Sequence, residues 1–117
     1  MNFANLKVWN KSKDLAVEIF KLFSDSKDYG FKDQITRSAL SIPSNIAEGF
    51  ERESNKELIR FLYIAKGSCG ELRTQLIIAK EINFIEFKKA DELISITMEI
   101  SYMLSALIKT RKSFNKR

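Results

Sequence analysis

Four amphipathic helices packed antiparallel, up-down-up-down, are what this 117-residue chain predicts. Three observations carry the expectation. Apolar residues recur at helical spacing along nearly the whole length. The polar connections between periodic stretches are short, which forces antiparallel neighbours. With 4 Gly and 1 Pro there is too little punctuation for many short strands. A chain of this size has room for one core, so residues 1–117 read as a single all-α domain ending in a basic tail, residues 109–117.

The first helix is expected from about Leu6 to Phe23, with Val8, Leu15, Ile19, Leu22 and Phe23 in its stripe and Trp9, Ala16 and Phe20 beside them. Residues 24–30 are polar and end in Gly30, which reads as a turn. The second helix begins near Phe31 and carries Ile35, Ala39, Ile42, Ile46 and Phe50. Pro43 lies inside this pattern and removes a backbone donor; because the apolar spacing continues across it, the expectation is a kink and not a break. Ser54 and Glu57 have the spacing of a capping box opening the third helix, which runs to about Ile82. Its core stripe is Leu58, Phe61, Leu62, Ala65, Cys69, Leu72, Leu76 and Ala79. Asn83 and Glu86 have the same spacing and are read as a second capping box, before a fourth helix carrying Phe87, Leu93, Ile94, Ile100, Met103, Leu104, Leu107 and Ile108.

Charge is unevenly placed. Residues 1–108 hold all 15 acids and 15 of the 20 bases, so that span is neutral (15 − 15 = 0). The whole excess of +5 lies in Lys109, Arg111, Lys112, Lys116 and Arg117. A neutral body with a basic end suits an anionic partner such as nucleic acid. The plainer reading is a solubilising helix end whose cations favour the helix dipole.

The third helix has a second face. At about 100° per residue, Ile59, Tyr63 and Ile77 fall away from the core stripe, with Lys66, Arg73 and Lys80 spaced by sevens along the edge of that side. An apolar line on a long helix suggests a partner surface, here a homo-oligomer contact. Aromatic and basic residues together also suit nucleic acid, where a Tyr ring stacks on bases and cations meet phosphates.

Catalytic chemistry is missing from the sequence. Zero His removes the commonest general base and metal ligand, and one Cys excludes a thiolate zinc site. Neither a phosphate-binding Gly loop nor a nucleophile elbow is present, so no enzyme activity, cofactor or metal is expected. Glu48 and Glu71 are the acids most embedded among apolar or small neighbours. They are expected to join Arg37, Ser41, Asn45 and Gln75 in a structural polar network near Pro43. The lone Cys69 cannot form an internal disulfide, and residues 1–9 lack a basic start followed by an apolar run. No apolar stretch approaches the ~20 residues of a membrane span, so a cytoplasmic protein without a membrane role is expected.

Residues 34–49 (QITRSALSIPSNIAEG), residues 61–76 (FLYIAKGSCGELRTQL) and the opening Leu6-Lys-Val-Trp9 resemble, in order, the signature of a known family. It is the four-helix bundle family encoded by intervening sequences in bacterial 23S rRNA genes, also labelled S23 ribosomal protein. A similar fold serves as the accessory variability protein of diversity-generating retroelements. The resemblance implies a homopentamer with a basic surface, without catalysis and associated with nucleic acid. The leading expectation is a homo-oligomer binding RNA or DNA through phosphates with little sequence preference. The contacts would be Lys109, Arg111, Lys112, Lys116 and Arg117, with Lys66, Arg73 and Lys80 as a second stripe. The alternative is a protein-interaction adaptor, for example for a reverse transcriptase or other polymerase, built on Ile59, Tyr63 and Ile77.

Overall fold

Asn2 accepts from the Ala4 N–H at 3.0 Å, which caps a 3-10 turn over Phe3–Asn5. The Phe3 ring meets Trp9 edge-on at 5.1 Å, and the Asn10 amide donates to the Ala4 and Leu6 carbonyls, so this segment is clasped to the helix that follows. The computed structural model describes residues 2–114, and four helices occupy nearly all of them: α1 (Lys7–Leu22), α2 (Tyr29–Glu51), α3 (Asn55–Glu81) and α4 (Phe87–Phe114).

Each neighbouring pair is antiparallel, which the cross-helix contacts show directly. Along α2 and α3, Ser38 meets Glu71 and Ser41 meets Ser68. Along α3 and α4, Asn55 meets Arg111 and Lys80 meets Asp91. Between α1 and α4, Lys11 meets Glu99 and Glu18 meets Lys89. Among the described residues each helix packs on its two neighbours and the diagonal pairs stay apart, giving a bundle of 50 × 21 × 20 Å.

The core is aliphatic. Ile19, Ile35, Ile42, Ile46, Leu62, Leu72, Leu76, Leu93, Ile100 and Leu104 are fully enclosed, and every residue of the expected α3 stripe is buried. In α1, Phe20 and Leu22 turn outward, and in α4 so does Phe87. Thr97 takes a core position that apolar periodicity overlooks, its hydroxyl donating to the Ile94 carbonyl at 2.6 Å. Pro43 is buried within an unbroken α2, so the chain keeps its helix across the missing donor.

The helix ends correct three expectations. Asp28 accepts from the Phe31 N–H and starts α2 at Tyr29, two residues early, with Gly30 inside the first turn. Ser54 caps α3 by accepting from the Glu57 N–H at 3.1 Å, but the Glu57 carboxylate forks onto Arg60 and does not complete a box. Asn83 does not open α4. It closes α3 in the left-handed conformation, at φ 61°, with the Phe84 N–H reaching the Ala79 carbonyl and the Asn83 N–H the Lys80 carbonyl. That pair of bonds is a Schellman ending, for which Asn is a tolerated substitute for Gly. A further correction concerns composition: α4 is long and apolar enough to cross a membrane by those two criteria alone. Here its apolar side, including Leu93, Ile100 and Leu104, lines the interior of the bundle.

At Gly49 the α2 backbone lies close against α3. A Cβ there would lie 3.0 Å from both Leu58 Cδ1 and Phe61 Cβ and 3.3 Å from the Leu58 carbonyl oxygen. Gly49→Ala should therefore destabilise the bundle by about 1–3 kcal/mol despite the better helix propensity of Ala. Urea unfolding of the purified variant checks this, and an unchanged midpoint would show that the helices separate without cost.

Candidate nucleic-acid interface

The seam between α3 and α4 follows from how α3 packs. With Leu62, Ala65, Cys69, Leu72 and Leu76 buried, residues 63, 66 and 73 fall on the side turned toward α4's outer edge. α4 answers with Met98, Tyr102, Ser105, Lys109 and Lys112, alternately three and four residues apart and so on one face. Two adjoining depressions of about 230 and 420 Å³ run along this seam and share Lys66 and Ser105. The first is completed by Arg73, Met98, Ser101 and Tyr102, the second by Tyr63, Ile108, Lys109, Lys112 and Ser113. No acid lines either one.

Within the seam the cations differ in how firmly they are held. Lys66 and Lys109 form no ion pair among the described residues, and the Lys112 ammonium lies 5.0 Å over the Tyr63 ring. Arg73 is anchored, donating from Nε to the Thr97 hydroxyl at 3.0 Å and from Nη2 to the Thr97 carbonyl at 3.3 Å. These bonds fix its guanidinium at the groove wall and leave its charge uncancelled.

The structure does not bring all eight expected cations together. Lys80 is bound to Asp91 at 2.7 Å and covers Phe87, beyond the acid-free stretch. Arg111 turns to the opposite side of α4, between the Phe50 and Phe114 rings, where it joins Arg52 near the start of α3. Residues 109–114 continue α4 as helix, and Lys116 and Arg117 lie outside the described residues. Tyr102, Met98 and Ser105 were missed by charge counting, although the run of α4 from residue 100 to residue 113 holds no acid and was legible in the sequence.

The apolar line resolves into two kinds of residue. Ile59 is partly buried against the core, whereas Tyr63 (45% exposed) and Ile77 (41%) face water together with Ile64 and Ile78. Between these pairs α3 presents Gly67 and Gly70, and a Cβ at either would have nothing within 4 Å. No contact among the described residues calls for glycine there.

The expected polar network is smaller than predicted. Ser41 and Ser68 share a hydrogen bond of 2.8 Å, and the Asn45 amide donates to both the Ser41 carbonyl and hydroxyl. Glu71 is exposed and accepts from Ser38; Glu48 is exposed and pairs with Arg52, apart from the cluster. Arg37 is exposed and lines a shallow depression with Asp33 and Gln34, and the buried Gln75 Oε1 accepts no hydrogen bond. Small, apolar sequence neighbours thus misled: positions 48 and 71 fall on outer faces of their helices.

No group of three or more acids and Cys able to hold a metal occurs among the described residues. Cys69 is fully enclosed and donates to the Thr97 carbonyl at 3.0 Å, and burial pushes its thiol up against the lowering influence of Arg73.

Comparison with known proteins gives two findings. The sequence model of the 23S rRNA-intervening sequence protein family matches residues 4–106. The structure is similar to the crystal structure, at 1.70 Å resolution, of a protein of unknown function from the S23 ribosomal protein family of Bacteroides thetaiotaomicron VPI-5482. The TM-score is 0.82 at 28% identity, over 87% of this chain and 98% of that one. No curated protein matches.

The buried thiol gives this region a reporter. Cys69 should resist alkylation by iodoacetamide at neutral pH in the folded protein and react once the bundle opens in urea. Because its folded-state ionisation lies above the ordinary range, stability should hold below about pH 8.5 and fall as pH rises past it. Full labelling of the native protein would contradict both statements.

Proposed function

The chain belongs to the 23S rRNA-intervening sequence protein family, and on that footing we propose that it is a non-enzymatic homo-oligomer that binds RNA or DNA through phosphates in the cytoplasm. The observation that carries the binding reading is the acid-free groove of α3 and α4, where Lys66, Arg73, Lys109 and Lys112 converge. Phosphate recognition needs cations that intramolecular carboxylates have not already neutralised. Lys66, Lys109 and Lys112 meet that condition and form the core of the site. Lys80 and Arg111, engaged elsewhere, contribute less. Lys116 and Arg117 extend the same charge in sequence. Zero His and the buried Cys69 support the non-enzymatic part.

Each phosphate neutralised releases counterions, so the affinity should fall steeply with salt. Four contacts correspond to a loss of about 50-fold for a single strand, and about 150-fold for a duplex, between 50 and 200 mM salt. Fluorescence anisotropy with labelled RNA and DNA measures this. Replacing Lys66, Lys109 and Lys112 together by Ala should weaken binding to every sequence alike and lower the salt slope by about one per cation. Affinity indifferent to salt would refute the phosphate reading.

The homo-oligomer is supported by the outward face of α3, where Gly67 and Gly70 lie between exposed Tyr63 and Ile64 on one side and Ile77 and Ile78 on the other. Mid-helix glycine costs up to ~1 kcal/mol relative to alanine, and close approach of a second helix would offset that cost. The sign of one substitution tests this. In an isolated bundle Gly67→Ala should raise stability; in the proposed oligomer it should instead lower the sedimenting mass, as should Ile78→Asp. Unchanged mass for both variants would transfer this face to a different protein partner.

A further inference from the structure

Phosphate contacts alone would favour duplex over single strands, because the duplex carries the denser charge and releases more counterions per contact. The groove holds something that phosphate binding does not require. Tyr102, which lines it beside Lys66 and Arg73, is 78% exposed and makes no hydrogen bond or ring contact among the described residues. Met98, one turn before it on the same face of α4, is 51% exposed. An aromatic ring and a thioether side by side in water, walled by cations and serines, make an apolar ledge in a groove whose lining holds no acid.

We infer that this groove selects unpaired nucleotides, with Tyr102 as the platform on which a base stacks while Lys66 and Arg73 hold the flanking phosphates. The inference rests on the phosphate-binding reading above and narrows its substrate class. A duplex keeps its bases stacked on one another and offers such a ring no free face, whereas each base of a single strand has one. Tyr63 is the secondary platform: the Lys112 ammonium already lies over its ring, so a base can stack there only as that cation moves onto a phosphate. Stacking depends little on base identity, so the selectivity is for strandedness and not for sequence.

The test compares three labelled probes of equal length by anisotropy: oligo-uridine, an abasic strand with the same phosphates, and a blunt duplex. The wild-type protein should bind oligo-uridine more tightly than either control. Tyr102→Ala should lower the affinity for oligo-uridine by about 5- to 150-fold, leave the abasic strand nearly unchanged, and keep the salt slope. Tyr102→Phe, which preserves the ring, should retain binding. Circular dichroism and sedimenting mass of both variants should match wild type, since this side chain is outside the core. Equal loss on oligo-uridine and the abasic strand, or no loss on either, would overturn the stacking role while salt-dependent binding left the phosphate reading intact. Duplex preference in the wild type would do the same. Absence of binding to all three probes at low salt would overturn both readings.

Discussion

Burial of one continuous stripe of α3, from Leu58 to Ala79, is the constraint on which the rest of the molecule depends. Six of its eight residues (Leu62, Ala65, Cys69, Leu72, Leu76 and Ala79) are wholly enclosed. Fixing that stripe fixes the helix's rotation to within a fraction of a turn, because positions four apart share a face. Everything else about α3 then has no freedom. Residues 38 and 41 of α2 must meet 71 and 68, residue 97 of α4 must meet 69 and 73, and the remaining positions must face water. Gly49 lets α2 come close enough for this packing, with Leu58 and Phe61 at the distance where even a methyl group would intrude.

The same constraint decides the electrostatics. The sequence is neutral up to residue 108, so a field in the body of the bundle depends on which cations the fold leaves without a carboxylate. Lys11, Arg52, Arg60, Lys80 and Lys89 each have one in contact. Such surface pairs add at most about 1 kcal/mol of stability, so their larger effect is to cancel charge where they stand. Among the described residues no acid lines the stretch of the α3–α4 seam beyond the Lys80–Asp91 pair, and Lys66 and Lys109 form no ion pair there beside Lys112. This groove therefore carries several uncancelled charges in a protein whose net charge is only +5.

Much of this was legible before folding, and the reasons for the misses are specific. The α3 stripe could be read in full because a buried face on a long helix imposes a period that nothing else in the sequence imitates. Asn83 and Glu86 have the spacing of a capping box, but in a connection this short the same residue can be read as the end of one helix or the start of the next. Whether Asn83 closes α3 or opens α4 depends on its φ, which the residue pattern does not encode. Glu48 and Glu71 were judged from sequence neighbours, when burial follows the helix face. Arg111 was grouped with Lys109 and Lys112 by proximity along the chain, yet two residues of helix rotate it about 200° from Lys109. Lys80 matches Lys66 and Arg73 in spacing, and only the position of Asp91 on another helix sets it apart.

The two surfaces of α3 are adjacent but chemically separable, which bears on how such a small protein could both assemble and bind. The outward face carries Ile64, Gly67, Gly70 and Ile78, with exposed Glu71 among them; the seam face is cationic and takes most of its lining from α4. Only Tyr63 stands on the border, exposed on one side and in contact with Lys112 on the other. A second chain packed on the glycine face would therefore leave the floor of the cationic groove open, since Lys66 and Arg73 lean toward α4. It would also place the rim of that groove beside the rim of the interface. Assembly by this route would multiply the cationic grooves without covering them, and the proposed sites would form a repeated array whose affinities compound along one strand.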